Sequence, residues 1–231
     1  MSGTVATKPA TAVEPNTPVL VEEDPADQWV SRGAHKLLGA LDAFGVDPTG
    51  RRCLDAGAST GGFTDVLLSR GAAHVVAVDV GYGLIDWKLR TDDRVTVVER
   101  VNARNLQPEQ VGDAPSLVVA DLSFIPLRLV LPALVRCAAP DAELLPMVKP
   151  QFEVGKENLP SGGVVRDPAA RADTVRRVAA QALELGLGVR GVTASPLPGP
   201  SGNVEYFLHL QAGAPPLEEQ LLVDAVRSGP Q

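Results

Sequence analysis

From residue 51 onward, short valine-rich apolar runs alternate with helix-length segments, and no other feature constrains the fold as much. "RCLDAG" reads as a buried strand, and "GFTDVLLSRG" as a helix closed by Gly71. "HVVAVDV" is a second strand, "LIDWKLR" a short helix and "VTVVER" a third strand. "SLVVADLSF" is a fourth, followed by a helix through "RLVLPALVRCA" and a fifth strand in "AELLPMVKP". A long helix is expected from Ala169 to Leu185, before the strands "VRGVTASPL" and "NVEYFLHLQ". The runs do not alternate with polar residues, so the strands need cover on both faces, as in an α/β fold with a parallel sheet between helices. The last two strands have no helix between them and can pair only as an antiparallel hairpin. Ahead of the alternation, Leu37, Leu38, Leu41 and Phe44 in "SRGAHKLLGALDAFGV" recur at helical spacing, and Gly45 marks the end of that helix.

A chain of 231 residues suits one large α/β domain. Aromatic residues make up only 4% of it, so the core must rest on Val, Leu and Ala. Residues 1–28 are rich in Pro, Thr and acid and are expected to form a mobile tail or linker, with one short strand at Val19 to Val21. The globular domain is expected over 29–213, and 214–231 form a C-terminal tail with a short helix. No apolar run reaches membrane-spanning length, and the polar start lacks the apolar stretch of a signal peptide, so a cytoplasmic protein is expected. Cys53 and Cys137 lie far apart in apolar surroundings, without the ligand spacing of a metal site, and read as reduced structural thiols. His35, His74 and His209 read as structural too. A net charge of −7 disfavours tight nonspecific binding to nucleic acid. A local basic face could still be built from Arg32, Lys36, Lys88, Arg90, Arg94, Arg100 and Arg104, and ordinary solvated surface charge is an equal alternative for each.

The stretch "LDAGASTGGFTDVLL" places Gly57, Gly61 and Gly62 at one strand-to-helix junction, directly after Asp55. Glycine permits positive φ and lets another molecule approach the backbone closely. The spacing does not match G-x-G-x-x-G, which disfavours a nicotinamide enzyme. Asp79 ends the second strand, where a carboxylate can accept from a ribose diol, and Asp121 ends the fourth. Ligands of doubly wound sheets sit beyond these carboxyl ends. An acid with a glycine-rich turn, then an acid after strand two and another after strand four, describe a site for S-adenosylmethionine. Its expected contacts are Asp55, Gly57, Ala58, Ser59, Thr60, Gly61, Gly62 and Phe63, then Asp79 and Val80, then Asp121 and Leu122. Each aspartate alone could as well be a cap or turn residue.

The segments "WVSRGAHKL", "CLDAGASTGGFTDVLL", "AVDVGYGLIDWKLR", "VVADLSFI", "MVKPQFEVGK", "GGVVRDP" and "ASPLPGPSGNVEYFL" closely resemble the TlyA family of ribosomal RNA 2′-O-methyltransferases, relatives of the FtsJ/RrmJ enzymes. The resemblance runs from residue 29 to about 210. It implies a Rossmann-like methyltransferase with a seven-stranded, mostly parallel sheet whose last strand is antiparallel. It also implies a catalytic set of Lys36, Asp121, Lys149 and Glu205, with ribosomal RNA or ribosomal subunits as partner and no metal or membrane. The family carries an N-terminal S4-like RNA-binding domain. Residues 1–24 resemble only the tail of one, so recognition of folded RNA by this chain alone is expected to be weak. Oligomeric state stays open, with a monomer favoured.

The residues add their own support. Only five of the 21 basic residues are lysines, and Lys36 and Lys149 both lie in mostly apolar contexts, where a lysine needs a partner or a function. A ribose 2′-hydroxyl must lose its proton as it attacks. Lys149 could take that proton and Lys36 could steady the oxyanion, with Asp121 and Glu205 orienting the lysines. Arg32, Lys88, Arg90 and Asn203 are the expected substrate contacts, Asn203 presented by the stiff "PLPGPSGNVEYF" turn. The rivals are a small-molecule O-methyltransferase or other S-adenosylmethionine enzyme on the same scaffold, and a non-catalytic RNA-binding protein or haemolysin.

Overall fold

The computed structural model describes residues 28–230. The N-terminal tail, with the strand expected at Val19 to Val21, lies outside them. The chain enters through α1 (Gly33–Phe44), which stops at Gly45 in the left-handed conformation, φ 63°. There follow β1 (Arg52–Ala56), α2 (Gly62–Ser69), β2 (His74–Val78), the single turn α3 (Trp87–Arg90) and β3 (Val95–Val98). Next come the short α4 (Pro108–Val111), β4 (Leu117–Ala120), α5 (Leu131–Cys137) and β5 (Glu143–Val148). Another single turn, α6 (Pro150–Glu153), and the long α7 (Pro168–Glu184) precede β6 (Leu187–Ala194), β7 (Tyr206–Ala212) and α8 (Glu219–Ser228). Pro168 opens α7 where a missing N–H costs nothing, and the Asp167 carboxylate accepts from Ala169 N at 3.0 Å.

The seven strands form one sheet in the order β3-β2-β1-β4-β5-β7-β6. β7 runs antiparallel to both its neighbours, and the other strands are mutually parallel. This is the sheet that the resemblance implied, and the last two strands pair as the hairpin expected of them. Both faces are covered. On one, α1 and α2 bury Leu37, Leu41, Phe63 and Leu67 against Val75, Leu145 and Phe207. On the other, α5, α7 and α8 bury Leu131, Leu134, Val175, Val178 and Leu222 against Leu54, Val118, Tyr206 and Leu208. Each fully buried leucine contributes about 1.5–3 kcal/mol relative to exposure.

Register places the chemistry. Ala56 pairs with Val78 on one side and Ala120 on the other, so Asp79 and Asp121 leave the sheet in one layer beside Gly57. Val148 pairs with Tyr206, and the residues one step beyond them at that end of the sheet are Lys149 and Glu205. Here the structure departs from expectation. β7 begins three residues later than the run "NVEYFLHLQ" suggests, so Glu205 precedes the strand and is 1% exposed.

Candidate functional site

A cavity of about 570 Å³ opens beyond the carboxyl ends of β1, β2 and β4. Gly57, Ser59, Asp79, Val80, Asp121, Leu122 and Ser123 line it, with Leu84, Arg104 and Phe124 farther around. Asp79 holds the turn itself, its Oδ2 accepting from Ser59 N at 2.8 Å and its Oδ1 from Gly81 N at 2.7 Å. A carboxylate has about four acceptor positions, so two remain for a ligand.

The glycines need a correction. Gly57 has φ 87°, and a Cβ there would overlap the Asp121 carbonyl oxygen. At Gly61, φ 100°, a Cβ would run into Leu89 of α3, and at Gly62 into the Ser31 hydroxyl. Packing of α2 against neighbouring segments is thus enough to require glycine at 61 and 62. Phe63 and Ala58 are buried in the α1–α2 side of the core, where Phe63 tilts against Phe207 at 6.0 Å, so neither lines the cavity. Thr60 is exposed and gives its carbonyl to Asp86 N at 3.0 Å.

Asp55 is fully buried behind this turn. Its Oδ2 accepts from the Thr64 hydroxyl at 2.7 Å, and its Oδ1 has no partner among the described residues. Burial, with the charges of Asp121 and Asp79 adding to it, pushes its carboxyl up to about 7. The orphaned oxygen is a buried acceptor under the influence of two further carboxylates, Asp121 and Asp79, and such a group fits a cation. The folded protein keeps this proton between about pH 4 and pH 7, whereas the unfolded chain has released it. Stability from this group is thus present at low pH and lost as pH rises through that window. Melting curves are expected to show the ligand-free protein losing ground to Asp55→Asn as pH rises from about 5 to about 8, and parallel curves would count against the buried proton.

Two ion pairs stand at the ends of β5 and β7. Lys36 Nζ from α1 meets Glu205 Oε2 at 2.6 Å, with both side chains at 10% exposure or less. Lys149 Nζ meets Asp121 Oδ1 at 2.5 Å and also donates to the Ser123 hydroxyl at 3.0 Å. Glu205 needs a bare position beside it, since a Cβ at Gly199 would lie 2.7 Å from its Oε1. The stiff proline-rich turn supplies that position. Two lysines with opposed carboxylates, one of them Asp121 in the wall of a cavity large enough for a nucleoside, can hold a hydroxyl, take its proton and steady the resulting oxyanion.

Three residues in the quoted motifs escaped the sequence reading. Ser123 sits against Lys149. Gln151 Nε2 reaches Glu205 Oε1 at 3.4 Å. Glu153, raised above its ordinary range by burial, accepts from Leu127 N at 2.7 Å and so ties α6 to the loop after β4. Their closeness in sequence to Asp121 and Lys149 was the available signal.

The expected substrate contacts divide. Arg32 is exposed at the start of α1, with no side-chain partner among the described residues. Lys88 pairs with Asp65 at 3.0 Å, and Arg90 pairs with Glu99. Asn203 is a correction, because it is buried and both ends of its amide are engaged within the protein. Its Oδ1 accepts from Val165 N and its Nδ2 donates to Gly163 O, both at 2.9 Å, so it clasps the 163–165 loop and presents nothing outward. Of the remaining basic candidates, Arg94 pairs with Asp92 and Arg100 lies over the Tyr82 ring at 4.2 Å. At the start of β5, His209 Nε2 lies 2.6 Å from Glu143, which also holds Arg51 at 2.7 Å, a closed structural group. Among the described residues no helix is long and apolar enough to cross a membrane, and no cluster of three His, Cys, Asp or Glu could hold a metal.

The model of the FtsJ-like methyltransferase family matches residues 29–212. The 16S/23S rRNA (cytidine-2′-O)-methyltransferase TlyA of Mycobacterium tuberculosis is 64% identical over 211 residues, covering 91% of this chain and 79% of that protein. The 23S rRNA (cytidine-2′-O)-methyltransferase TlyA of Campylobacter jejuni is 34% identical over 182 residues, 78% of this chain and 70% of its own. A solved structure from Lactococcus lactis, carried under a hemolysin name, superposes with a TM-score of 0.82 at 41% identity, covering 86% of this chain and 97% of that one.

Proposed function

The chain belongs to the FtsJ-like methyltransferase family, and on that premise we propose that it is a ribosomal RNA 2′-O-methyltransferase using S-adenosylmethionine, with a cytidine ribose as its target. The observation that carries this reading is the Lys149–Asp121 pair at the cavity wall, where Asp121 and Ser123 line the cavity and hold the lysine, with Lys36–Glu205 next along the same end of the sheet.

Asp79, with its spare acceptor positions, would hold the ribose diol of the cofactor, and the free Oδ1 of Asp55 would take a cationic group of its methionine portion. Bound there, the cofactor supplies a methyl group made electrophilic by its sulfonium, and such a transfer asks no Lewis acid of the protein. The protein's task is then positioning and proton removal. Asp121 and Ser123 fix the Lys149 amine from two sides, which aims its remaining valence at the target hydroxyl. Lysine, unlike arginine, can give up a proton to its surroundings, so Lys149 serves as the base. Lys36, held in place by Glu205, steadies the oxygen as it becomes an anion. Residues 29–213 form the catalytic unit, acting as a single chain in the cytoplasm, and α8 extends its core. Arg32 and Arg104, exposed and without side-chain partners among the described residues, would meet RNA phosphates.

The test is incubation with methyl-labelled S-adenosylmethionine and either separated ribosomal subunits or free ribosomal RNA, followed by mapping of 2′-O-methyl positions. Label confined to a cytidine ribose is expected. Cofactor binding with no label in any RNA would discard the RNA reading in favour of a small-molecule acceptor.

A further inference from the structure

Gln151 stands in α6, two residues after Lys149, with its amide at the Glu205 carboxylate. A carboxylate only accepts, so the orientation of the amide is settled. The nitrogen faces Glu205 and the carbonyl oxygen Oε1 points elsewhere. That oxygen is shielded from water and has no partner among the described residues. Buried acceptors are nearly always filled, and one left open on an amide whose nitrogen meets Glu205 calls for a donor from whatever binds beside that carboxylate.

The next step rests on the reading of the target as a cytidine within an RNA chain. In such a chain the 3′ oxygen is esterified, and a cytidine has only two donors. One is the 2′-hydroxyl, whose proton goes to Lys149. The other is the exocyclic N4 amine of the base. We propose that Gln151 Oε1 accepts from this amine, so that the residue beside Glu205 also reads the target base. A uracil would present its O4 acceptor to the same oxygen, leaving two acceptors face to face. Asn203, the amide that the sequence pointed to, cannot take this part, because both ends of its side chain are engaged in the loop clasp.

The experiment compares wild type with Gln151→Leu on target RNA carrying either cytidine or 2-pyrimidinone riboside, which lacks only the exocyclic amine, at the methylated position. The readout is the ratio of kcat/KM between the two RNAs, because any loss transmitted through Glu205 is common to both and cancels. Wild type is expected to favour cytidine by on the order of 10-fold or more, the usual scale of one well-placed base contact, and Gln151→Leu to bring the ratio close to one. An unchanged ratio in the variant overturns the proposal, as does wild type that methylates both RNAs equally. The wild-type comparison needs no substitution, so a misfolded variant leaves the test intact. No methylation of either RNA by wild type would remove the RNA reading itself, and this inference with it.

Discussion

Lys149→Ala is expected to lower methyl transfer by on the order of 10²-fold or more, the scale of a lost general base, while S-adenosylmethionine still binds. Lys149 follows the buried strand β5, and its amine is held by Asp121 and Ser123 on the ligand side of the sheet. Truncation removes that amine and leaves Gly57, Asp55 and Asp79 untouched. It also strands Asp121, whose side chain is 22% exposed, so water can partly replace the lost partner and the fold should survive. Lys149→Arg sharpens the test. A guanidinium keeps the charge and the pairing with Asp121 but holds its proton at any workable pH, so turnover should fall nearly as far. Near-normal turnover in the arginine variant would mean that position 149 supplies charge alone. Cofactor affinity by calorimetry and single-turnover rates separate binding from chemistry.

Gly57→Val should abolish measurable cofactor binding and lower Tm as well. Two independent objections meet at this position. With φ 87° it lies where a β-branched residue is a severe outlier, and any Cβ overlaps the Asp121 carbonyl oxygen. The displaced backbone is that of the residue pairing with Lys149, so the cavity wall and the base would move together. Gly45→Ala makes the control. That glycine is also left-handed, φ 63°, but a Cβ there meets nothing within 4 Å, so only the backbone cost of about 1–2 kcal/mol applies. Equal behaviour of Gly57→Ala and Gly45→Ala, in both melting and cofactor titration, would show that the close approach of Gly57 to Asp121 is immaterial.

Much of this architecture was legible before any coordinates. Runs such as "HVVAV" and "LVVA" have no polar alternation, and only a sheet covered on both faces accommodates them, which is where β2 and β4 lie. The two lysines stood out because the chain otherwise prefers arginine. What escaped notice depended on direction rather than composition. Gly61 and Gly62 share a turn with Gly57, yet their missing side chains point at Leu89 and Ser31, and no pattern of residue types reveals where a Cβ would aim. Asn203 looked available because it sits among turn residues. Its two hydrogen bonds reach 38 and 40 residues back along the chain, a pairing that only the closed fold creates. Gln151 was missed for the converse reason. It reads as an ordinary polar residue on one turn of helix until β7 brings Glu205 alongside, 54 positions later.

The insertion of β7 between β5 and β6 has a bearing on how the molecule comes into being. Strands β1 to β5 can pair as they are synthesised, each beside a neighbour already made. Among the described residues β6 has no partner until β7 emerges, because β7 is the only strand there that it touches. The helices, the glycine turn and the Lys149–Asp121 pair can therefore assemble early on a growing chain, but Glu205 arrives with the final strand, and Lys36 waits for it across 169 residues. Translation proceeds from the N-terminus at about 5–20 residues per second, so for several seconds a nascent chain can hold a nearly finished cofactor site with no complete catalytic set. A chain broken off before residue 205 would be a binder of cofactor without turnover, and completion of the sheet is the event that turns it into an enzyme.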